Sequence, residues 1–261
     1  MLVARNLTVT VGSARLLWHA AAAVSPGEVV VLLGENGAGK STLLKVLAGD
    51  IVPRGGTVDL NGRPMHLWSM RDRALRRAVL PQNPSVAFGF TALEVVLLGR
   101  FPHGGSAVGK IDFAIARDAL ALVDADLLES RLVSTLSGGE AARVHLARAL
   151  AQVWEDAGHG ARYLLLDEPV ASLDPAHQHL ALATARSFAK DRGVGVLAVL
   201  HDPNLAAQYA ERVILLKRGR VIAQGAPRAV LTPDHLAECY GLPATVVPHP
   251  RLDVPLVVMA P

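Results

Sequence analysis

The chain has 261 residues, of which 51% are hydrophobic and 19% are charged. This composition excludes a disordered chain, and the length is sufficient for one large α/β domain with a substantial core. The net charge is only +3 and aromatic residues make up 4%, so no nucleic-acid partner is expected, because such partners favour a basic face with interleaved aromatics.

The first predicted elements are strands at Leu2–Val11 and Thr57–Leu60, the second of which ends in an Asn61-Gly62 turn. The opening residues lack the basic-then-apolar pattern of an export signal. No apolar run reaches the ~18 residues that a membrane helix needs. Cys239 is the only cysteine, which excludes an internal disulfide and fits a reducing compartment.

Between these two strands lies a glycine-rich motif with the spacing of a phosphate-binding loop. The apolar run Val29–Leu33 leads into GENGAGKST (Gly34–Thr42), which fits G-x-x-x-x-G-K-[ST], and a helical pattern follows. Glycines let backbone N–H groups turn around a polyphosphate, and a helix N-terminus and a lysine add positive charge. A glycine-rich surface turn is the alternative, but the strand–loop–helix context argues against it. The residues predicted to contact a nucleoside triphosphate are Gly34, Glu35, Asn36, Gly37, Ala38, Gly39, Lys40, Ser41 and Thr42.

The next segment is basic and then helical. Arg71, Arg73, Arg76 and Arg77 form the densest basic run, which is interpreted as a solvated helix face. From about residue 83 to residue 154 strand signals fade, and helical patterns such as Ile111–Val123 replace them. We therefore predict a helical insertion into a sheet domain.

This insertion contains the string LSGGE (Leu136–Glu140). Ser137 and Glu140 have the form of a capping box before a helical apolar pattern, so one interpretation is a well-capped helix. Gly138 and Gly139 indicate a role beyond helix capping, because each glycine costs ~1 kcal/mol inside a helix. They are explained if this backbone must approach a second phosphate.

Two later apolar runs end in polar residues. Tyr163–Leu166 precedes Asp167 and Glu168, and Val194–Leu200 precedes His201. Such runs are typical of parallel strands that are covered on both faces, and ligands bind beyond their carboxyl ends. Asp167 is predicted to hold Mg²⁺ together with the Ser41 hydroxyl, and Glu168 to polarise an attacking water. A simple strand-ending turn is the alternative for the Asp-Glu-Pro sequence.

The predicted architecture is a doubly wound α/β sheet in a single domain that spans residues 1–261. Its nucleotide-binding core covers about 1–82 and 155–225, its helical subdomain about 83–154, and a C-terminal extension about 226–261. Repeated prolines in that extension argue against long regular elements there.

In this order, GENGAGKST, LSGGE, Asp167-Glu168-Pro169, Ser172-Leu173-Asp174 and His201 resemble the ATP-binding subunits of ABC transporters over essentially the whole chain. The resemblance implies a P-loop NTPase core with a mostly parallel sheet, an antiparallel β subdomain and a helical insertion. It also implies an ATP-hydrolysing enzyme that uses ATP and Mg²⁺. Two copies would face head to tail, so that each ATP lies between the phosphate-binding loop of one copy and the LSGGE motif of the other. The motif residues implied to contact that ATP are Ser137, Gly138, Gly139 and Glu140.

The resemblance assigns roles to three further residues. Gln82 matches a glutamine that senses the metal and the water, and it is a candidate metal ligand. Asp174 matches the loop that crosses the dimer interface, which makes it an implied ATP-contacting residue, and His201 matches the histidine that contacts the γ-phosphate. The implied catalytic residues are Glu168, His201, Gln82 and Lys40.

Linking sequences around residues 76–82, 146–154, 173–179 and 199–207 are similar to those of hemin-import ATPases, within the group of importers for iron chelates and cobalamin. This similarity implies a homodimer under two copies of a membrane permease, at the cytoplasmic face of the inner membrane, fed by a periplasmic hemin-binding protein. A ferric siderophore or cobalamin importer is the alternative, and a non-transport ABC protein is less well supported.

Direct heme binding is not expected. His177 and His179 stand two residues apart on a predicted helix and do not share a face, and the other histidines considered, His66, His103, His145 and His159, are scattered.

One departure from the family pattern concerns the base of the nucleotide. Val11 stands where many relatives carry an adenine-stacking aromatic residue, which predicts weaker discrimination between ATP and GTP. Trp18 is the nearest aromatic side chain that could substitute, but it is predicted to pack in the core.

Overall fold

The structure is a computed structural model that describes residues 1–84, 89–104, 108–156, 158 and 160–259. Its centre is a six-stranded sheet with the strand order β10-β9-β3-β8-β7-β6. Strands β9, β3, β8, β7 and β6 run parallel, and β10 is antiparallel to β9. The strands of this sheet are β3 (Val29–Leu33), β6 (Arg77–Leu80), β7 (Tyr163–Asp167), β8 (Gly195–Val199), β9 (Arg212–Lys217) and β10 (Arg220–Gly225).

A four-stranded antiparallel sheet of order β2-β1-β4-β5 lies beside the central sheet, and a C-terminal hairpin, β11-β12, completes the strands of the described part of the chain. The strands of these two sheets are β1 (Leu2–Val11), β2 (Ala14–Val24), β4 (Gly55–Leu60), β5 (Arg63–Pro64), β11 (Ala244–Pro248) and β12 (Pro255–Met259).

The helices cover both faces of the central sheet. The α-helices are α1 (Lys40–Ala48), α2 (Met70–Arg76), α3 (Ala92–Leu98), α4 (Lys110–Leu122), α5 (Gly138–Gln152), α6 (Pro175–Arg192), α7 (Pro203–Tyr209), α8 (Pro227–Val230) and α9 (Pro233–Tyr240). Single 3₁₀ turns occur at Met65–Leu67, Asp126–Leu128 and Val133–Thr135. Within the described residues, no helix combines the length and the apolar character that crossing a bilayer requires.

The two faces of the central sheet bury separate hydrophobic clusters. Alternate residues of β3 show the division, since Val30 and Leu32 join the cluster beneath α1 and the antiparallel sheet, whereas Val29, Val31 and Leu33 join the cluster beneath α3 to α7. Burial on both faces explains why β3, β7 and β8 consist almost entirely of apolar residues.

The predicted fold class is confirmed, because the parallel core, the antiparallel sheet and the helical segment are all present. The predicted strand Leu2–Val11 is observed in full, and the predicted helix Ile111–Val123 is observed one residue earlier at each end. The turn at Asn61-Gly62 is also confirmed, since both residues have a left-handed φ between β4 and β5.

Two expectations about side-chain burial were wrong. Trp18 does not belong to either core cluster, because it is only partly buried on β2 with the Arg15 guanidinium 4.1 Å from its ring centre. The basic run is not a wholly solvated face either. Arg76 is buried and stacks 4.7 Å from the Trp68 ring centre, and the Arg77 guanidinium lies 3.5 Å from Asp50.

Candidate nucleotide-binding site

The phosphate-binding loop lies between β3 and α1, at the carboxyl edge of the central sheet. Gly34, Gly37 and Gly39 all have φ angles between +78° and +152°, which side chains other than glycine rarely adopt. A Cβ at Gly34 would lie 2.1 Å from the Leu216 carbonyl oxygen. The glycine spacing is therefore required both by the turn itself and by close backbone packing beneath it.

Lys40, the first residue of α1, turns its side chain back over this loop. Its Nζ donates hydrogen bonds to the carbonyl oxygens of Gly34 at 2.7 Å and Glu35 at 2.9 Å. Burial lowers the pKa of Lys40, whereas the nearby carboxylates of Glu168 and Asp167 raise it. The loop thus places a buried ammonium group where a polyphosphate would need it.

Asp167 ends β7 on the neighbouring side of the site. The Ser41 hydroxyl donates a hydrogen bond to Asp167 Oδ1 at 3.1 Å. Burial raises the pKa of Asp167, while the Ser41 hydrogen bond lowers it. A hydroxyl and a carboxylate this close together are hard oxygen donors of the kind that Mg²⁺ takes in proteins, so this pair fits such an ion.

Glu168 links the two polar residues that follow the neighbouring strands. Gln82 follows β6, and its Nε2 donates to Glu168 Oε2 at 2.8 Å. His201 follows β8, and its Nε2 lies 2.7 Å from Glu168 Oε1. Glu168 itself has a φ of +54°, a costly conformation for this residue that places its carboxylate between the other two groups. The structure therefore brings together three of the predicted catalytic residues, and Lys40 lies close enough to interact electrostatically with Glu168.

The LSGGE motif forms a capping box at the start of α5. The Glu140 N–H donates to Ser137 Oγ at 3.2 Å and the Ser137 N–H donates to Glu140 Oε2 at 2.7 Å. Ser137 and Gly138 are exposed. A Cβ on Gly139 would meet the Ser172 carbonyl oxygen at 3.4 Å. The motif therefore packs against Ser172 and Leu173, while Ser137 and Gly138 remain exposed.

Asp174 directly precedes the next helix, α6. Its carboxylate accepts hydrogen bonds from the His177 backbone N–H at 3.0 Å and contacts the His177 ring at 2.6 Å. Asp174 is thus the N-cap of α6, and Pro175 occupies its first turn, where proline is favoured. The roles assigned to Asp174 and to the LSGGE residues toward a nucleotide stay predictions.

The histidines considered as heme ligands are dispersed. His177 is held by Asp174, and the His179 ring contacts the Tyr209 hydroxyl at 2.7 Å. His66 is exposed beside a small apolar cavity, His103 contacts the Gln152 carbonyl oxygen, and His159 lies outside the described residues.

Sequence reasoning missed two features next to the site. His145 on α5 is buried, its Nδ1 has no partner among the described residues, and it lines a cavity of about 380 Å³ together with Gln82 and Glu168. Burial lowers the pKa of His145 to about 4. The second feature is α9, whose Cys239 and Tyr240 lie at the start of the phosphate-binding loop. No local sequence pattern predicts that either feature lies near the site. His145 is one histidine in a helical pattern, and α9 is about 200 residues from the phosphate-binding loop along the chain.

Comparison with known proteins places these features in a family. The family model described as "ABC transporter" matches residues 18–171. A protein of Gloeobacter violaceus named hemin import ATP-binding protein HmuV is 52% identical, over 99% of this chain and 94% of that protein. Proteins of the same name from Myxococcus xanthus and Burkholderia thailandensis are 51% and 47% identical, over 97% and 100% of this chain and 95% and 100% of their own lengths.

Solved structures show the same fold. An ABC transporter described as of metal-chelate type, in an inward-facing conformation, has a TM-score of 0.82 and 26% identity, covering 99% of this chain and 96% of its own. A dimeric bacterial ABC transporter cassette has a TM-score of 0.77 and 26% identity, covering 87% of this chain and 99% of its own.

Proposed function

Because this chain belongs to the ABC transporter family, we propose that it is the ATP-hydrolysing subunit of an importer whose cargo is hemin. The chain is an ABC ATPase, and the importer assignment follows from the names of its relatives. We further propose that it works as a head-to-tail homodimer bound to two permease copies at the cytoplasmic face of the inner membrane.

One observation carries the choice of hemin as cargo. Relatives from three different organisms, each named for hemin import, are 47–52% identical to this chain over nearly its whole length. The matched length takes in the helical segment and the C-terminal extension as well as the nucleotide motifs. The shared name of these relatives over that length supports hemin over a siderophore or cobalamin.

The proposed reaction uses the geometry of the carboxyl edge. Lys40, whose ammonium group now bonds to two loop carbonyls, would turn to the β- and γ-phosphates of ATP. Mg²⁺, held by the Ser41 hydroxyl and the Asp167 carboxylate, would neutralise charge on the same phosphates. Glu168 would accept the proton of the attacking water, and His201 would hold the Glu168 carboxylate in place.

The exposed LSGGE motif supports the dimer proposal. Its residues Ser137 and Gly138 are exposed at the N-terminus of α5, and a helix N-terminus is a favourable site for the phosphate of an ATP held by a second copy. ATP bound in this way joins the two copies, and hydrolysis removes the γ-phosphate that joins them. The affinity of the closed dimer for ATP would then drive the permease between its states.

The cargo is tested in proteoliposomes that contain this chain, its proposed permease and the corresponding binding protein. We expect hemin-loaded binding protein to stimulate ATP hydrolysis and hemin to accumulate in the receiving compartment. A ferric siderophore or cobalamin in place of hemin should give neither effect. Stimulation by one of those two cargoes and not by hemin would overturn the cargo assignment while leaving the ATPase assignment intact.

The matched control is Glu168→Gln in the same proteoliposomes. It should abolish ATP-dependent uptake while hemin still binds to the periplasmic protein, so that transport is separated from hemin partitioning into lipid.

A further inference from the structure

The glutamate of the LSGGE motif places a carboxylate in the first turn of α5. Glu140 Oε2 accepts the Ser137 backbone N–H at 2.7 Å, which closes the capping box. Under the proposed function, the same helix N-terminus receives the γ-phosphate of an ATP held by a second copy. A carboxylate there already occupies the positive end of the helix dipole and would repel a phosphate. The motif therefore requires a cation that offsets this charge.

Arg131 supplies such a cation. Its Nη1 donates to Glu140 Oε1 at 3.0 Å, and its Nη2 donates to the Thr135 carbonyl oxygen at 3.2 Å. Both oxygens of the Glu140 carboxylate are therefore engaged, one by the backbone of the motif and the other by a guanidinium. The Ser137 hydrogen bonds and the Arg131 charge lower the pKa of Glu140, so the carboxyl group is ionised at neutral pH.

The backbone of Arg131 is fixed by contacts that do not involve its side chain. Its N–H donates to the Leu128 carbonyl oxygen at 2.8 Å, and its carbonyl oxygen accepts the Ala92 N–H at 2.9 Å. The next residue, Leu132, pairs with Thr91 in an isolated antiparallel bridge. Arg131 thus belongs to a segment that is attached to the start of α3. Replacing its side chain should leave the path of this segment unchanged.

The ion pair is exposed enough that its effect on folding stability should be small. The side chains of Arg131 and Glu140 are 45% and 26% exposed, and water and salt screen such pairs. Closure of two copies over an ATP would remove water from this surface, and the same charges would then act on the phosphate at a lower dielectric constant. The effect of Arg131 on ATP use should therefore exceed its effect on stability.

We propose that Arg131 is a positioning residue for the LSGGE motif, whose guanidinium neutralises the Glu140 carboxylate and so lets the N-terminus of α5 bind the γ-phosphate of an ATP held by a second copy. Arg131 acts through Glu140 and does not itself contact the nucleotide. This inference rests on the dimer part of the proposed function and is independent of the cargo.

The test is a double-mutant cycle in the full-length protein, and the readout is the ATP concentration that gives half-maximal hydrolysis. Arg131→Met leaves the Glu140 charge without its cation, so this concentration should rise about three- to tenfold. Glu140→Gln keeps a capping side chain but removes the carboxylate, so its value should equal that of the wild type or be lower. In the double variant the local charge is balanced again, and the value should return to within about twofold of the wild type.

Two further measurements separate this effect from a loss of structure. Raising the NaCl concentration from about 50 to about 300 mM should reduce the defect of Arg131→Met relative to the wild type, because salt screens the repulsion. The melting temperature of Arg131→Met should stay close to that of the wild type. Arg117→Met is the matched control, since it removes an exposed arginine from an ion pair outside the motif, and it should leave the half-maximal ATP concentration unchanged.

Either of two results would overturn the proposal. An unchanged half-maximal ATP concentration for Arg131→Met would show that the Glu140 charge needs no cation. A double variant as impaired as Arg131→Met would assign Arg131 an ordinary structural role, because Glu140→Gln restores no contact with the loop. Ser137→Glu separates these failures from that of the proposed function. If Ser137→Glu impairs hydrolysis and Arg131→Met does not, only the role of Arg131 is wrong, whereas if neither variant impairs it, the motif does not contact ATP.

Discussion

Glu168 is held in the structure by the same residues that are predicted to help it act. Both of its carboxylate oxygens are engaged, one by Gln82 and one by His201. A carboxylate can accept a proton from water only through an oxygen that the water can reach. We infer that Gln82 must give way for hydrolysis and that His201, bonded to the other oxygen, fixes the direction of the carboxylate.

Glu168→Gln tests this role. The amide keeps the size of the side chain but cannot accept a proton, so turnover should fall by at least about 100-fold, a typical effect of losing a general base. Binding of ATP should persist, and ATP should trap a dimer that is visible by size-exclusion chromatography with light scattering. Glu129→Gln, at an exposed pair with Arg117, is the control and should leave turnover unchanged. Near-normal turnover of Glu168→Gln would exclude Glu168 as the base.

His145 should make stability depend on pH. Burial, together with the positive charge of Arg148 on the same helix, lowers its pKa to about 4 in the folded protein, whereas the unfolded chain titrates near the ordinary value of about 6.5. Between these values the unfolded state binds the proton and the folded state does not. The contribution of His145 to stability is therefore fully present above pH 6.5 and is lost as the pH falls toward 4.

His145→Leu removes this titration and fills the site with an apolar side chain of similar size. Urea unfolding at several pH values from 7 to 4.5 should show a smaller loss of stability for the variant than for the wild type. At pH 7 the variant should be at least as stable, because an unpartnered buried nitrogen has been removed. If the free energy of unfolding falls equally with pH in the two proteins, His145 is not buried in its neutral form.

Among the elements, the link between α3 and α4 depends on one buried cation. Arg100 has a side-chain exposure of 1%, donates to Asp112 Oδ1 at 2.9 Å and to the Ala151 carbonyl oxygen at 2.8 Å, and contacts Glu155. It therefore joins the start of α4 to the end of α5. Burial raises the pKa of Asp112, but the Gly109 N–H and Arg100 more than offset this and hold that pKa below its usual value.

Arg100→Met should reduce the free energy of unfolding by about 3 kcal/mol, because it leaves the buried Asp112 carboxylate without its cation. Arg117→Met is the control, since Arg117 and Glu129 form an exposed pair whose loss should cost less than about 1 kcal/mol. Chemical denaturation of both variants measures the difference. If the two variants lose the same free energy of unfolding, the buried Arg100 ion pair stabilises the protein no more than the exposed Arg117 pair.

The elements that could be predicted from the sequence are those with an unambiguous pattern. The runs that form β3, β7 and β8 are buried on both faces, so their residues are apolar throughout and end abruptly where the polar site begins. Strand β2 was missed because its second half, Ala20-Ala21-Ala22-Ala23, has a composition typical of helices. Its strand state comes from pairing with β1, which a local pattern does not record.

At the scale of the whole molecule, the contacts that complete the site join distant parts of the chain. Asp167, Glu168 and His201, which end or follow adjacent strands, could be placed together from sequence because parallel strands share a carboxyl edge. Gln82 was assigned to the site only by the family resemblance, since the strand before it was not predicted. The approach of α9 to Gly34 could not be predicted, since helix packing depends on the path of the whole C-terminal segment. Within one chain the LSGGE motif packs against Ser172 and Leu173, and its residues Ser137 and Gly138 are exposed, so the proposal that a second copy completes the site can be tested with mixed subunits.

A head-to-tail dimer makes a specific prediction about mixed subunits. Lys40→Ala damages the phosphate-binding loop and leaves LSGGE intact. Ser137→Glu leaves the loop intact but places a carboxylate where the partner's γ-phosphate would lie, at a helix N-terminus that tolerates negative charge. In a mixed dimer, one site combines both damaged halves and the other combines both intact halves, so one site is fully restored.

Each variant alone should hydrolyse ATP very slowly, because both of its sites contain a damaged half. If subunits pair at random in an equimolar mixture, about half of the dimers are mixed and total activity should recover to about a quarter of the wild-type value. The measurement is ATP hydrolysis of each parent and of the mixture at the same total subunit concentration. A mixture no more active than its parents, while mixed dimers are shown to form, would mean that each chain completes its own site and that the head-to-tail arrangement is wrong.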